Sequence, residues 1–397
     1  MIEIDDAIEK IAAECELLVA DSCPTIEALG RVLAQDVAAD VDSPPHNKSV
    51  VDGFAIRVAD AGKHLRLIEQ VVAGAIPTLS VEPGTTSQVM TGAPIPDGAE
   101  AMVMVEDVEQ DGDSVLVPSN VSLGQMIMPR AKTFAQGDIV LQKGTRIRPI
   151  EVGLLCEVGR STIRTYRRPT VAILPTGDEL VPCDQKPSVG QIRNSNGPML
   201  ESRARVANCE VTSLGIGSDN EQDLKSKIEL GLNSDIFILS GGVSAGVRDL
   251  VPAMLHSLGV REVFHKVRLK PGKPIWFGVR EGADRKTLVF GLPGNPISSL
   301  VCFELFVQLA IRLLTGQSKH IERKPIRLAK DYELRGNRPT YYPARSYRDQ
   351  GRTFAEPLDW QGSADMLTVA QADCLIYFDA TKNAYQAGEK LEALTLD

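Results

Sequence analysis

Three stretches between Arg168 and Pro296 share one pattern, a short apolar run that stops abruptly at glycine or proline. Thr170-Val-Ala-Ile-Leu174 runs into Pro175-Thr-Gly-Asp-Glu179, Asp235-Ile-Phe-Ile-Leu239 into Ser240-Gly-Gly242, and Thr287-Leu-Val-Phe290 into Gly291-Leu-Pro-Gly-Asn-Pro296. Consecutive apolar positions bury both faces of a strand, as in parallel sheets covered by helices on each side. Ligands of such sheets lie beyond the carboxyl ends of the strands, so the three turns are expected to form one site. Residues 168–316 alternate strand-length and helix-length segments, which predicts an α/β, doubly wound parallel-sheet domain. Its helices are expected over 198–206, 219–232, 250–258 and 297–314, with Asp219 or Asn220 capping the second.

A chain of 397 residues is too long for one ordinary core, and ~150 residues per domain suggests about two to four domains. Residues 1–45 and 140–167 read as a helical and linker domain, with a helix carrying Ile4, Ala7, Ile8, Ile11, Ala12, Cys15 and Leu18 and a helical patch through Val32 and Leu33. Residues 46–139 read as a small mainly β domain of short strands, and 317–397 as a second, C-terminal β domain. A net charge of -9 argues against a nucleic-acid coat or a membrane-surface protein, so any anionic ligand needs a local basic cluster. The acidic amino terminus and the absence of an uninterrupted apolar run near ~18 residues argue against a membrane protein. The seven scattered cysteines, without a C-x-x-C pair, fit a reducing, cytoplasmic setting without disulfides or zinc. The five histidines show no ligand spacing.

Ser240-Gly-Gly-Val-Ser-Ala-Gly246, with Gly241, Gly242 and Ser244, allows close approach of backbone amides to an anion. It is neither a G-x-G-x-x-G nor a Walker A loop. His265-Lys-Val-Arg-Leu-Lys-Pro-Gly-Lys-Pro274 is expected as a strand with Lys266, Arg268 and Lys270 on one face, followed by a turn that redirects Lys273. A solvated edge would explain the charges equally; the rigid KPGKP ending favours an oxyanion site. Asp52, Glu179, Asp219 and Asp249 stand at turns and helix starts, where they are either caps and turn formers or oxygen ligands for a hard cation.

Taken with SVVDGFA at 49–55 and MTGAPIP at 90–96, the motifs TGDEL at 176–180, SGGVSAG at 240–246, KPGKP at 270–274 and GLPGNP at 291–296 resemble the MoeA family, the molybdopterin molybdenumtransferases related to the gephyrin E domain. The resemblance implies a homodimer of four-domain protomers that converts adenylylated molybdopterin and molybdate into molybdenum cofactor and AMP with Mg2+. It implies catalytic roles for Asp52, Thr91, Glu179 and Asp249, and metal binding by Glu179, Asp219 and Asp249. Substrate contacts are implied for Gly241, Gly242, Ser244, Lys266, Lys270, Lys273, Pro293, Pro296, Arg345 and Ser363, in a cleft shared between protomers. The molybdopterin adenylyltransferase and molybdoenzyme maturation factors are expected partners.

Two stretches depart from the family pattern: Asn47-Lys48 replaces an acidic residue and Asn, and Met126-Ile-Met-Pro-Arg-Ala-Lys-Thr133 replaces an Arg-rich run ending in Gly-Glu-Asp. They leave open a catalytically impaired paralogue that binds molybdopterin or a partner protein through the same cleft. The related adenylyltransferase is a third reading, disfavoured because Gly241-Gly-Val-Ser stands where that family has Gly-Gly-Thr-Gly.

Overall fold

The computed structural model describes residues 1–218, 220–242, 250–282 and 285–396. At its centre is a six-stranded sheet in the order Glu210–Ser213, Thr170–Pro175, Ile236–Ser240, Lys286–Leu292, Trp276–Glu281, Val260–His265. The first four strands are parallel, as expected. The last two run antiparallel to their neighbours, so the sheet is mixed. The links between His265 and Trp276 and between Glu281 and Lys286 are too short for a crossover helix, which needs a dozen or more residues.

Helices Asn196–Val206 and Glu221–Gly231 connect parallel strands, Leu250–Ser257 precedes the edge strand Val260–His265, and Asn220 caps the second helix by accepting from the Gln222 and Asp223 amides. The helix Pro296–Leu314 fills the core: Ile297, Val301, Phe303 and Phe306 are fully buried with Ile173, Phe277 and Phe290. By length and a mean hydropathy of 1.8 this helix could cross a membrane, but 83% of its apolar window is buried inside the protein. Residues Phe303–Val307 form a π turn within it, where the buried Glu304 carboxylate accepts from Arg203 Nε at 2.6 Å.

The amino-terminal helix stops at Glu14, short of Cys15 and Leu18, and buries Ile4, Ala7 and Ile11 in the α/β core. Antiparallel strands Ala20–Pro24 and Thr162–Tyr166 and the helix Pro149–Glu157 enclose a separate small core around Leu33, Ile147 and Leu155. Val32 and Leu33 form isolated antiparallel bridges to Arg146 and Thr165 rather than a helical patch. Gly30, at φ +78°, has already turned the chain, and β-pairing then satisfies the backbone.

Six short strands around Gly53–Ile56 and Thr85–Val89 make the expected β domain. The two divergent stretches pair with each other there: Lys48–Ser49 lies antiparallel to Ile127–Met128, Asn47 Oδ1 accepts from the Arg130 amide at 2.9 Å, and the Arg130 guanidinium pairs with Asp42. The carboxyl-terminal unit is a closed five-stranded barrel. Its longest hairpin, Thr340–Asp349 with Arg352–Pro357, is rich in Tyr and Arg and was not among the apolar runs.

Candidate active site

The three glycine- and proline-ended strands are neighbours in the sheet. Pro175 is in register with Ser240, and Ser240 with Leu292. Thr176 N–H donates to Ser240 O at 2.9 Å and Gly241 N–H to Leu292 O at 3.1 Å, so the strand ends are stitched together. Gly241 has φ +92°, and a Cβ there would lie 2.5 Å from the Thr176 carbonyl, which excludes any other residue without rebuilding the turn. Beneath the turns is a buried polar cluster: Asn196 Nδ2 donates to Ser240 Oγ and to Gly294 O, each at 2.7 Å, and the Ser299 hydroxyl donates to Pro293 O. This cluster fixes the GLPGNP loop from below. Thr176 Oγ1 and Asn196 Oδ1 are buried there without a hydrogen-bond partner among the described residues.

The KPGKP loop lies beside GLPGNP. Gly272 has φ +118°, and a Cβ there would come within 2.7 Å of Cys302 Sγ and 2.9 Å of Leu269 Cδ2. The loop therefore lies directly on the core helix, with Lys270 and Lys273 flanking the contact. The expected strand face of Lys266, Arg268 and Lys270 does not form: regular pairing ends at His265, and Lys266 has φ +72°. Arg268 instead turns away to Glu3 and the Asn337 carbonyl.

The barrel closes this edge of the sheet within the same chain. Lys270 N–H donates to Pro339 O at 2.8 Å, Tyr341 N–H to Lys270 O at 2.9 Å, and Ile297 N–H to Ser363 O at 3.0 Å. Arg338 Nη1 donates to Leu269 O at 2.9 Å and Lys270 Nζ to Arg335 O at 3.0 Å. Between the two units is a cleft of about 790 Å³, in which Lys270, Lys273, Pro293 and Ser363 meet Arg335 and Arg338. Tyr332, Tyr342 and Trp360 form its aromatic wall, and Tyr342 packs edge-on against Trp360. Partial burial, followed by the charges of Arg338 and Arg335, holds the Lys270 pKa below the usual lysine range.

The remaining candidate residues are dispersed. Glu179 is exposed, its carboxylate folded back over Gly177, just beyond the first strand end. Arg345 does not line the cleft; it donates to the Gln371 carbonyl from the neighbouring hairpin. Lys266 and Pro296 are also absent from the lining, Pro296 acting as the first residue of the core helix. Asp52 and Thr91 lie in the distal β domain, both exposed. Thr91 donates to Asp52 Oδ1 from its amide and its hydroxyl, each at 2.7 Å, and these bonds hold the Asp52 pKa below the ordinary carboxylate value. Asp219, Ser244 and Asp249 lie outside the described residues. Among the described residues no three His, Cys, Asp or Glu side chains gather to hold a metal.

Arg335, Arg338 and the aromatic wall escaped the sequence reading. Their signal was present as Arg335-Gly-Asn-Arg-Pro339, a second basic run broken by Gly and Pro, but its position opposite KPGKP depends on the packing of two domains.

Gly241 and Gly242 shape the strand ends but do not line the cleft; the fold is that of a multidomain protein with a mixed α/β sheet and a basic cleft between that unit and the barrel. The chain matches the MoeA N-terminal region (domain I and II) over residues 2–159, the probable molybdopterin binding domain over 172–313 and the MoeA C-terminal region (domain IV) over 325–396. It is 35% identical over 315 residues to a molybdopterin molybdenumtransferase of Synechococcus elongatus, covering 76% of this chain and 78% of that one. It is 30% identical over 408 residues to the one of Bacillus subtilis, covering 100% of this chain and 94% of that one. The crystal structure of a molybdopterin biosynthesis moeA protein from Pyrococcus horikoshii superposes over 100% of both chains with a TM-score of 0.84 and 27% identity. The chain belongs to the MoeA family, the molybdopterin molybdenumtransferases.

Proposed function

We propose that this chain inserts molybdenum into molybdopterin, consuming adenylylated molybdopterin and molybdate and releasing molybdenum cofactor and AMP. The observation that carries the reading is the convergence of Lys270, Lys273, Arg335 and Arg338 on one cleft of a protein whose net charge is -9. Molybdate and the phosphate groups of the adenylylated substrate both need such a cluster. The guanidinium forks orient oxyanions and the ammonium groups act as mobile point charges. In a half-closed cleft these cations stabilise charge developing on oxygen more strongly than water does. Tyr332, Tyr342 and Trp360 offer flat faces for a pterin or adenine ring, and Ser363 offers a hydroxyl.

The oxygen donors of Glu179 suit magnesium in chemical type, and Asp219 and Asp249 are its proposed co-ligands; when bound, the ion would supply charge neutralisation at phosphate. We also propose a homodimer, a reading supported by the distance in sequence and fold between the exposed Asp52–Thr91 pair and the cleft: a second copy would bring that pair to it. A cytoplasmic setting is supported by the seven free cysteines. The adenylyltransferase that makes the substrate and the maturation factors that take the product are proposed partners. Curated relatives with the transferase name along the whole chain weigh against a binding-only paralogue.

The direct test is AMP release from adenylylated molybdopterin by the purified chain, with and without molybdate. Molybdate-dependent release is expected; no release under any combination of molybdate and magnesium sinks the proposal.

A further inference from the structure

A second cavity, of about 410 Å³, lies at the opposite end of the central sheet, where Arg167, Arg168 and Pro169 lead into the first parallel strand. The linker unit, the α/β unit and the last barrel strand all contribute to its walls. Six arginines line it: Arg31, Arg146, Arg167, Arg168, Arg203 and Arg312.

Four of them have local explanations. Arg167 forms a two-pronged pair with Asp235 at 2.6 Å for each bond, with Glu210 also nearby. Arg203 pairs with Glu304, and Arg31 with Asp21 at 3.0 Å. Arg312 stands in the last turn of its helix, where a cation offsets the negative helix end, and Glu322 faces it. Arg146 and Arg168 make no ion pair with any described residue. The Nε atoms of Arg31 and Arg168 are buried with no hydrogen-bond partner among the described residues. Two lining carboxylates, Glu304 and Glu322, stand against six guanidinium groups. An unmatched buried N–H is costly to leave without an acceptor, so such a wall favours a ligand that accepts several hydrogen bonds.

We propose that this cavity is a second anion site, distinct from the cleft, which binds a tetrahedral dianion either as free phosphate or as the phosphoryl group of a small organic molecule. Arg146 and Arg168 supply the charge not already matched, with Arg312 beside them, and guanidinium forks suit the tetrahedral edge. Because three units of the chain meet here, bound anion also ties the linker to the α/β unit.

The test is calorimetric titration of inorganic phosphate into the full chain at low, fixed ionic strength, with Lys270→Ala, Lys273→Ala, Arg335→Gln and Arg338→Gln together silencing the cleft. That variant should still bind about one phosphate per chain. Adding Arg168→Gln or Arg312→Gln should weaken binding about tenfold, the value of one charge-assisted hydrogen bond. Arg146→Gln, at an exposed side chain with no ion pair among the described residues, should also weaken it, which separates ligand loss from misfolding. A parallel titration with AMP distinguishes the sources: tighter AMP binding assigns a phosphorylated metabolite, tighter phosphate binding the free ion. No phosphate binding by the cleft-silenced chain, or unchanged binding in all three arginine variants, overturns the proposal.

Discussion

Gly272→Ala puts the link between packing and anion binding to the test. The substitution forces a Cβ onto a residue at φ +118°, and brings it to 2.7 Å from Cys302 Sγ and 2.9 Å from Leu269 Cδ2. Backbone strain of this kind costs ~1–3 kcal/mol, and overpacking against a core side chain a further ~1–3 kcal/mol. Part of that is relieved if the loop lifts from the helix, so a net loss of about 2–4 kcal/mol is expected. The lift moves Lys270 and Lys273, so the KM for molybdate should rise along with the loss of stability. Cys302→Ala removes the closest atom and the thiol's bond to the Gly272 carbonyl, at a cost of about 1–2 kcal/mol on its own. Combined with Gly272→Ala it should restore part of the lost stability, a coupling of about 1 kcal/mol or more. The assay is urea unfolding followed by the fluorescence of Trp276, which is buried in the same sheet, in a Trp360→Phe background, together with molybdate-dependent AMP release. If Gly272→Ala leaves both readouts unchanged, or its effect simply adds to that of Cys302→Ala, the account of this loop is wrong.

Asp235→Asn should destabilise the chain by about 3 kcal/mol, because it leaves Arg167 unpaired beside a buried site. Burial alone would raise the Asp235 pKa, but Arg167 and Thr170 outweigh it and hold it below the ordinary value. The wild-type advantage is therefore full above about pH 4 and disappears as pH falls through the lowered folded-state pKa, which denaturation at stepped pH would show. In the cleft, Arg335→Gln and Arg338→Gln each remove a positive neighbour of Lys270, so its pKa should rise toward the ordinary lysine value. Wild-type molybdate affinity should then decline at a lower pH than that of either variant, measured by titration across the alkaline range. Asp52→Asn and Lys273→Ala should each abolish AMP release, yet on the proposed homodimer with shared sites their co-expression should recover about a quarter of wild-type activity, because half of the dimers would carry one intact site. Recovery of nothing would confine the site to one chain.

How far the sequence could carry this reading depended on whether a feature was local. The three strand ends were legible because burial on both faces leaves an unbroken apolar run, and glycine at positive φ leaves a residue type that nothing else can replace. The antiparallel turn of Trp276–Glu281 and Val260–His265 was missed because strand direction is set by the length of the links, and apolar runs of either direction look alike. Lys266, Arg268 and Lys270 alternate perfectly on paper, but the backbone at Lys266 takes φ +72° and Arg268 is drawn to the barrel and the amino-terminal segment. A charge pattern gives only the period; partners in other domains decide which way the chain turns. The same reasoning applies to Arg335 and Arg338, whose meaning arises only when the Pro339 carbonyl accepts from Lys270 N–H and closes one domain over the other. The divergent stretches at Asn47-Lys48 and Met126–Thr133 look like two separate losses in the linear sequence. In the fold they are two sides of one strand pair, joined by Asn47 and Arg130, so a substitution on one side meets the other directly.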